Sequence, residues 1–238
     1  MSTKKHKFTL KDKFYMEIAL DLARSRHGLT GSNPSVGCVI VKNDKIISIG
    51  QTSFNGRPHA ESNAIKNSFE NLKGSKMYVT LEPCCHRGLT PPCTDSIIKS
   101  KISEVVYSVA DIDKRVRNKS FKILNSKKII VKKGLLKNKV ENFYYPYFFN
   151  RKKKLPFVTG KIAISKNNII YSKYQKKITN IYSDQFTHLL RYQNDGLMIT
   201  YKTLNNVSYT HLRAQETPEL RGVRVVGGRE GGGGGGGG

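Results

Sequence analysis

The sequence predicts a three-layer α/β/α sandwich, in which helices cover both faces of one sheet. Over the first 150 residues, short apolar runs typical of strands alternate with segments of helical periodicity. The 238 residues allow one large domain or two small ones, and 37% of them are hydrophobic, which is enough to bury a core. No run of about 18 apolar residues indicates a membrane span, so we expect a cytoplasmic protein without a membrane partner.

The first predicted element is an amphipathic helix over residues 10–27. Its apolar stripe consists of Phe14, Ile18 and Leu22, which follow an i, i+4, i+8 spacing, with Tyr15 and Ala19 beside them. Gly28 comes directly after this segment and favours a helix end there.

The other elements of the first domain follow at short intervals. Strands at 36–41 and 45–50 form a hairpin through a turn at Asn43 and Asp44. We further expect a helix from His59 with Ile65 and Phe69 on one face, a strand at 77–81, a helix from Pro92, a strand at 104–110, a helix at 121–124, a strand at 128–131, and a helix at 135–149 that Pro146 interrupts.

The charge balance is strongly basic, with 42 Lys and Arg against 17 Asp and Glu and a formal net charge of +25. Such a surplus raises the question of nucleic-acid binding. The basic residues are spread along the chain, and none of the basic stretches is interleaved with aromatic residues as a base-stacking surface requires. We therefore predict no nucleic-acid partner and interpret the basic run at 151–154 as a solvated linker.

Two short motifs carry the chemistry. The first is His59-Ala60-Glu61, and the second contains Cys84 and Cys93, each preceded by proline, with eight residues between them. One His and two Cys can act as three zinc ligands and leave a fourth coordination position for water. A nearby carboxylate that does not bind the metal can transfer protons to and from that water. This pattern is typical of zinc-dependent base deaminases.

The residues around these motifs leave one structural alternative open. Cys85 or His86 could complete a closed zinc site, although adjacent cysteines rarely bind one metal and a structural site does not need Glu61. Cys38 lies within an apolar strand and is predicted to be a core residue.

At these motifs the chain resembles the bacterial bifunctional riboflavin biosynthesis deaminase–reductases. The matching stretches are Asn-Pro-Ser-Val-Gly-Cys-Val-Ile-Val at 33–41, His-Ala-Glu at 59–61, and residues 78–93 with Thr-Pro-Pro before the second cysteine. Nucleic-acid deaminases usually carry Pro-Cys-x-x-Cys instead, so the resemblance argues against a nucleic-acid substrate.

The resemblance implies a cytidine-deaminase-like fold and hydrolytic deamination of a diaminopyrimidine ribotide. It implies one zinc ion per chain on His59, Cys84 and Cys93, with Glu61 as the proton shuttle. Asn33 is expected to contact the substrate, and His86 is a further candidate in the pocket. The chain departs from the family at Leu89, where Lys or Arg is usual, and at 111–113, where Asp-Ile-Asp replaces Asp-Pro-Asn. Arg87 is a possible substitute for the cation absent at Leu89.

Residues 155–165 resemble the start of the family's NADPH-dependent reductase domain. The resemblance assigns substrate binding to Arg191 and cofactor contact to Thr203. We expect strands at 157–164 and 196–200 and a helix at 184–192. The sequence lacks most of a reductase domain, so no reductase activity and no NADPH binding by this chain are predicted.

The predicted domains are therefore a zinc deaminase at 1–150, an incomplete reductase at 151–206 and a non-native tail at 207–238. The tail begins with an aperiodic stretch and ends in eight glycines, which resembles the translation of a sequencing adapter. A genuine glycine-rich linker is the alternative. For function, the alternatives are deamination of another base such as tRNA adenosine and a non-catalytic zinc-binding module. A homo-oligomer is compatible with the sequence.

Overall fold

The computed structural model describes residues 7–170, 178–199 and 224–227. The chain divides into two compact units, Met1–Thr159 and Gly160–Gly238. The predicted deaminase domain, 1–150, falls within the first unit. Among the described residues, no helix is both long and apolar enough to span a membrane.

The first unit contains five α-helices, one short 3-10 helix at Phe54–Gly56 and five strands in its described part, and the α-helices and strands alternate largely as the sequence predicts. In chain order they are α1 Leu10–Ser25, β1 Gly37–Lys42, β2 Lys45–Gln51, α2 Ala60–Lys66, β3 Lys76–Leu81, α3 Cys93–Lys99, β4 Glu104–Val109, α4 Lys119–Ser126, β5 Ile130–Lys133 and α5 Lys137–Lys153.

The five strands form one mixed sheet in the order β2-β1-β3-β4-β5. β1 runs antiparallel to β2 and β3, whereas β3, β4 and β5 are parallel. The predicted hairpin turn is confirmed: Asn43 and Asp44 both have left-handed φ angles, 48° and 60°, which suit a tight two-residue turn. Because β3 and β4 are parallel, the segments that follow them emerge at the same edge of the sheet.

Helices cover both faces of this sheet, which confirms the three-layer architecture. Along β1 the buried side chains alternate: Val39 and Val41 pack with α1, while Cys38 and Ile40 pack with α2 and α3. Cys38 is fully buried, so its predicted place in the core is confirmed.

The predicted apolar stripe of the first helix is correct in part. Ile18 and Leu22 are partly buried against the core, and Tyr15 and Ala19 beside them are buried. The inclusion of Phe14 is wrong, since it is 59% exposed, and the buried face extends instead to Met16 and Ala23. The reason is the close approach of α1 to β1, since a Cβ at Gly37 would lie 1.8 Å from the carbonyl oxygen of Ala19. The backbone of α1 at Ala19 and Ala23 therefore lies directly on β1.

The predicted interruption at Pro146 is also wrong, because α5 is continuous from Lys137 to Lys153. Tyr144 holds the helix against the sheet: its hydroxyl donates to the carbonyl of Ser35 at 2.8 Å and lies 2.7 Å from the hydroxyl of Thr80. Tertiary packing here outweighs the local preference of proline.

Two other predictions are wrong. α2 ends at Lys66, so Phe69 lies outside the helix and is fully exposed. The strand predicted at 157–164 is absent, because this segment has no strand partner among the described residues. Phe157 instead packs edge-on against Tyr145 and Phe149 of α5, with ring centroids 5.6 and 5.7 Å apart.

The second unit contributes α6 Ile181–Tyr192, β6 Gly196–Ile199 and β7 Arg224–Gly227. α6 begins three residues before the predicted start, and β6 agrees with the prediction. β6 and β7 pair in parallel, and β7 lies within the segment predicted to be a non-native tail. The origin of that tail stays a prediction.

Candidate active site

His59 and Glu61 are positioned by the start of α2. His59 is the N-cap residue of this helix, and Glu61 lies in its first turn. The helix start packs tightly on β2, because a Cβ at Gly50 would lie 2.2 Å from the carbonyl oxygen of Ala60. A glycine at this strand position therefore allows the helix end to approach the edge of the sheet.

The two cysteines come from the loop between β3 and α3. Cys84 follows β3, and Cys93 is the first residue of α3, whose N-cap is Pro92. Two hydrogen bonds from backbone amides close the loop: the amide of Cys93 donates to Sγ of Cys84 at 3.3 Å, and the amide of Thr94 donates to the carbonyl of Cys84 at 3.1 Å. These bonds bring the two sulfur atoms together across eight intervening residues.

The predicted metal ligands converge on one point. Nδ1 of His59 lies 3.5 Å from Sγ of Cys84 and 3.4 Å from Sγ of Cys93, and all three ligand atoms are within 4.8 Å of one another. One imidazole nitrogen and two sulfurs at this spacing fit a tetrahedral zinc ion with an open fourth position. Neither Cys85 nor His86 belongs to this group, and Sγ of Cys85 faces the carbonyl of Arg115 at 3.5 Å.

The two thiols differ in acidity. A hydrogen bond from Cys93, together with contacts to His59, lowers the pKa of Cys84 to about 4. The same shared proton and burial raise the pKa of Cys93 well above its ordinary value. A thiol must lose its proton to bind zinc, so the lowered pKa of Cys84 favours metal binding at this position.

Glu61 is almost completely buried beside this group, with 4% of its surface exposed. Burial raises the pKa of its carboxyl to about 7, and the neighbouring His59 limits the rise. Such a carboxyl can both accept and donate a proton near neutral pH.

The cluster opens into a cavity of about 760 Å³ in the first unit. Asn33, His59, Glu61, Cys84 and His86 all line it, so the structure brings these predicted site residues together. The side-chain amide of Asn33 is held by a 3.0 Å hydrogen bond to the carbonyl of Gly56. Arg191 lies on α6 in the second unit, and Thr203 lies outside the described residues.

Of the two departures from the family pattern, the one at 111–113 lies at this cavity, whereas Leu89 lies beside it and does not line it. Leu89 is 90% exposed, although its neighbours Gly88 and Thr90 line the cavity wall. Asp111, Ile112 and Asp113 form another part of the wall, where Asp113 is paired with Arg115 at 2.6 Å.

Sequence reasoning missed several cavity residues. The run at 151–154 is not a solvated linker in its entirety: Arg151, Lys152 and Lys154 line the cavity at the end of α5, and Arg151 donates to the carbonyl of Ser32 at 2.5 Å. The wall also includes Arg57 and the buried Glu82, which accepts from Ser120 at 2.5 Å. The basic run enters the wall at the end of α5, Glu82 is held by Ser120 of α4, and Arg57 is held by Thr90, contacts that no local sequence pattern indicates.

Residues 9–109 match the family described as the cytidine and deoxycytidylate deaminase zinc-binding region. The chain is 42% identical over 147 residues to the diaminohydroxyphosphoribosylamino-pyrimidine deaminase of Buchnera aphidicola, and the match covers 62% of this chain and all of that protein. It is 35% identical over 218 residues to the riboflavin biosynthesis protein RibD of Aquifex aeolicus, covering 90% of this chain and 61% of that protein.

A solved structure shows the same relationship. The chain is similar to the diaminohydroxyphosphoribosylaminopyrimidine deaminase/5-amino-6-(5-phosphoribosylamino)uracil reductase of Thermotoga maritima, with a TM-score of 0.76 and 32% sequence identity. That match covers 83% of this chain and 57% of the Thermotoga chain. The chain therefore spans about three-fifths of the length of these two-domain relatives.

Proposed function

Because the chain belongs to the diaminohydroxyphosphoribosylaminopyrimidine deaminase family, we propose that it deaminates 2,5-diamino-6-ribosylamino-4(3H)-pyrimidinone 5′-phosphate in riboflavin biosynthesis. Its first unit has the cytidine-deaminase-like fold, and its cofactor is zinc. The proposed reaction is hydrolytic: the 2-amino group leaves as ammonia, and a carbonyl oxygen from water takes its place.

The observation that carries this proposal is the position of Glu61. Glu61 lines the same cavity as His59 and Cys84, yet it does not belong to the ligand group that these two form with Cys93. A structural zinc site has no need for a buried acid at this place. A hydrolytic site does, because water must lose a proton and the departing amine must gain one.

The residues of the chain have distinct roles in this proposal. His59, Cys84 and Cys93 hold zinc, which acts as a Lewis acid and makes water nucleophilic near neutral pH. Glu61 accepts a proton from the attacking water and passes it to the ring nitrogen, as the new C–O bond forms and the ring C=N double bond becomes single. It then moves the remaining hydroxyl proton to the amino group, and the C–N bond breaks with release of ammonia while the carbonyl forms. Asn33 and His86 are proposed to orient the pyrimidine ring in the cavity.

A substrate panel tests the assignment. The zinc-loaded chain is incubated with the diaminopyrimidine ribotide, with cytidine and deoxycytidylate, and with an adenosine-containing tRNA stem-loop, and ammonia is measured. We expect release from the ribotide alone. Release from the stem-loop, or from the cytosine compounds without the ribotide, would contradict the proposed substrate.

For the remainder of the chain, we propose that residues 151–206 correspond to the start of the family's reductase domain. Arg191 and Thr203 are proposed to match the positions that bind the reductase substrate and contact NADPH in the family. We expect the chain to oxidise no NADPH when it is supplied with the deaminated ribotide. Absorbance at the NADPH wavelength follows this directly, and substrate-dependent oxidation would contradict the expectation.

A further inference from the structure

The cavity wall is rich in positive charge. Its lysine and arginine residues number seven: Arg57, Lys114, Arg115, Arg117, Arg151, Lys152 and Lys154. Its acidic residues number four: Glu61, Glu82, Asp111 and Asp113. A surplus of cations in a concave site favours an anionic ligand. The proposed substrate carries one such group, its 5′-phosphate, at the end remote from the pyrimidine ring.

Most of these cations are poorly suited to bind that group. Arg115 is exposed and already paired with Asp113. Arg151 is exposed, donates to the carbonyl of Ser32 and lies over the ring of Tyr147. The others with exposed side chains are Lys114, Arg117, Lys152 and Lys154. An exposed cation contributes little to affinity because water and salt screen its charge.

Arg57 differs from all of them in being only half-exposed and fixed in place. Its Nη1 donates to the hydroxyl of Thr90 at 2.7 Å. Its Nη2 lies 3.6 Å from the point where a Cβ of Gly88 would be. The guanidinium therefore lies against residues 88 and 90 of the loop that carries both cysteines. Among the described residues it has no carboxylate partner within ion-pair distance.

We infer that the guanidinium of Arg57 binds the 5′-phosphate of the substrate and that Thr90 is its positioning residue. This inference rests on the proposed function. A guanidinium presents parallel N–H donors that match phosphate oxygens, and it gains most when its position is fixed before binding. Arg57 precedes His59 by two residues, so the phosphate contact and the zinc ligand are joined by a short stretch of backbone.

Binding of ribose 5-phosphate to the zinc-loaded chain, measured by calorimetry with ribose as the uncharged control, tests the inference without catalysis. We expect Arg57→Gln to weaken ribose 5-phosphate binding by about 10- to 100-fold, the range that loss of a charge-assisted contact gives. Thr90→Val, which retains the guanidinium but removes its anchor, should give a smaller loss. Arg117→Gln removes the same charge from the exposed part of the wall and should change the affinity less than about threefold.

Kinetics with the ribotide supply the second readout. Arg57→Gln should raise KM for the ribotide by a similar factor with little change in kcat, and kcat/KM for the dephosphorylated substrate should be unaffected. Equal losses in Arg57→Gln and Arg117→Gln, or an equal loss for both substrates, would overturn the inference. If the wild-type chain binds ribose 5-phosphate through Arg57 but deaminates no ribotide, the proposed function fails while the phosphate site stands.

Discussion

Nδ1 of His59 lies 3.4 Å from Sγ of Cys93, although 34 positions separate the two residues in the chain. The contact joins the N-terminal ends of α2 and α3, which pack side by side on one face of the sheet. Cys84 completes the group from the end of β3. The proposed metal centre is therefore a junction of three elements, and disturbing any one of them should affect zinc binding.

Zinc content should separate the proposed ligands from the neighbouring cysteine. Cys93→Ser is expected to lower bound zinc from about one per chain to near zero, because a serine hydroxyl is a poor zinc ligand. Cys85→Ser is the matched control and should retain zinc, since its sulfur faces the carbonyl of Arg115. Mass spectrometry under native conditions counts the metal. Loss of zinc in Cys85→Ser would instead favour a closed, structural site.

The contact between α2 and β2 predicts a steric effect on the site. Gly50→Ala places a Cβ 2.2 Å from the carbonyl oxygen of Ala60, so α2 must move away from the sheet. We expect a loss of about 1–3 kcal/mol in the free energy of unfolding, the usual cost of overpacking, together with weaker zinc binding. Gly160→Ala has open space around it and is the control. Unchanged thermal stability in Gly50→Ala would show that the contact is not tight.

Asp12 predicts a specific dependence of stability on pH. Burial alone would raise the pKa of its carboxyl, but hydrogen bonds from Tyr78, Thr9 and Lys76 outweigh it and hold the pKa well below its usual range. A carboxyl with a lowered folded-state pKa stabilises the fold above its unfolded pKa of about 3.9, and this contribution disappears as the pH falls towards the folded value.

Asp12→Asn should therefore destabilise the protein by roughly 1–3 kcal/mol at pH 7, and the difference from wild type should shrink below about pH 4. Urea unfolding at several pH values measures this difference. Asp21→Asn, in an exposed pair with Arg24 on the same helix, should have an effect below about 1 kcal/mol at every pH. A difference for Asp12→Asn that stayed constant down to pH 3 would contradict the account.

Much of the site could be predicted because its residue types and spacings are themselves chemical constraints. Few arrangements other than a metal centre require His59, Cys84 and Cys93 with prolines before both cysteines. The strands were predictable for a similar reason, since buried parallel strands are continuous apolar runs such as β3 and β4.

The other features depend on contacts between distant parts of the chain. The buried face of α1 is set by Gly37 of the neighbouring strand. When a helix has apolar residues along two adjacent stripes, helical periodicity alone does not predict which stripe packs on the sheet. Arg57 and Arg151 enter the cavity wall through hydrogen bonds to Thr90 and to the carbonyl of Ser32. Such tertiary contacts leave no periodic pattern in the sequence. From the sequence alone, a basic residue that lines a cavity therefore cannot be distinguished from one on the solvated surface.

Ammonia release from the diaminopyrimidine ribotide by the zinc-loaded chain, compared in wild type, Glu61→Gln and Glu70→Gln, tests the central claim most directly. The account predicts release by wild type and by Glu70→Gln, whose side chain is exposed. It predicts a rate at least about 100-fold lower in Glu61→Gln with zinc still at one per chain. Equal rates in Glu61→Gln and wild type, or no release by wild type with zinc bound, would contradict it.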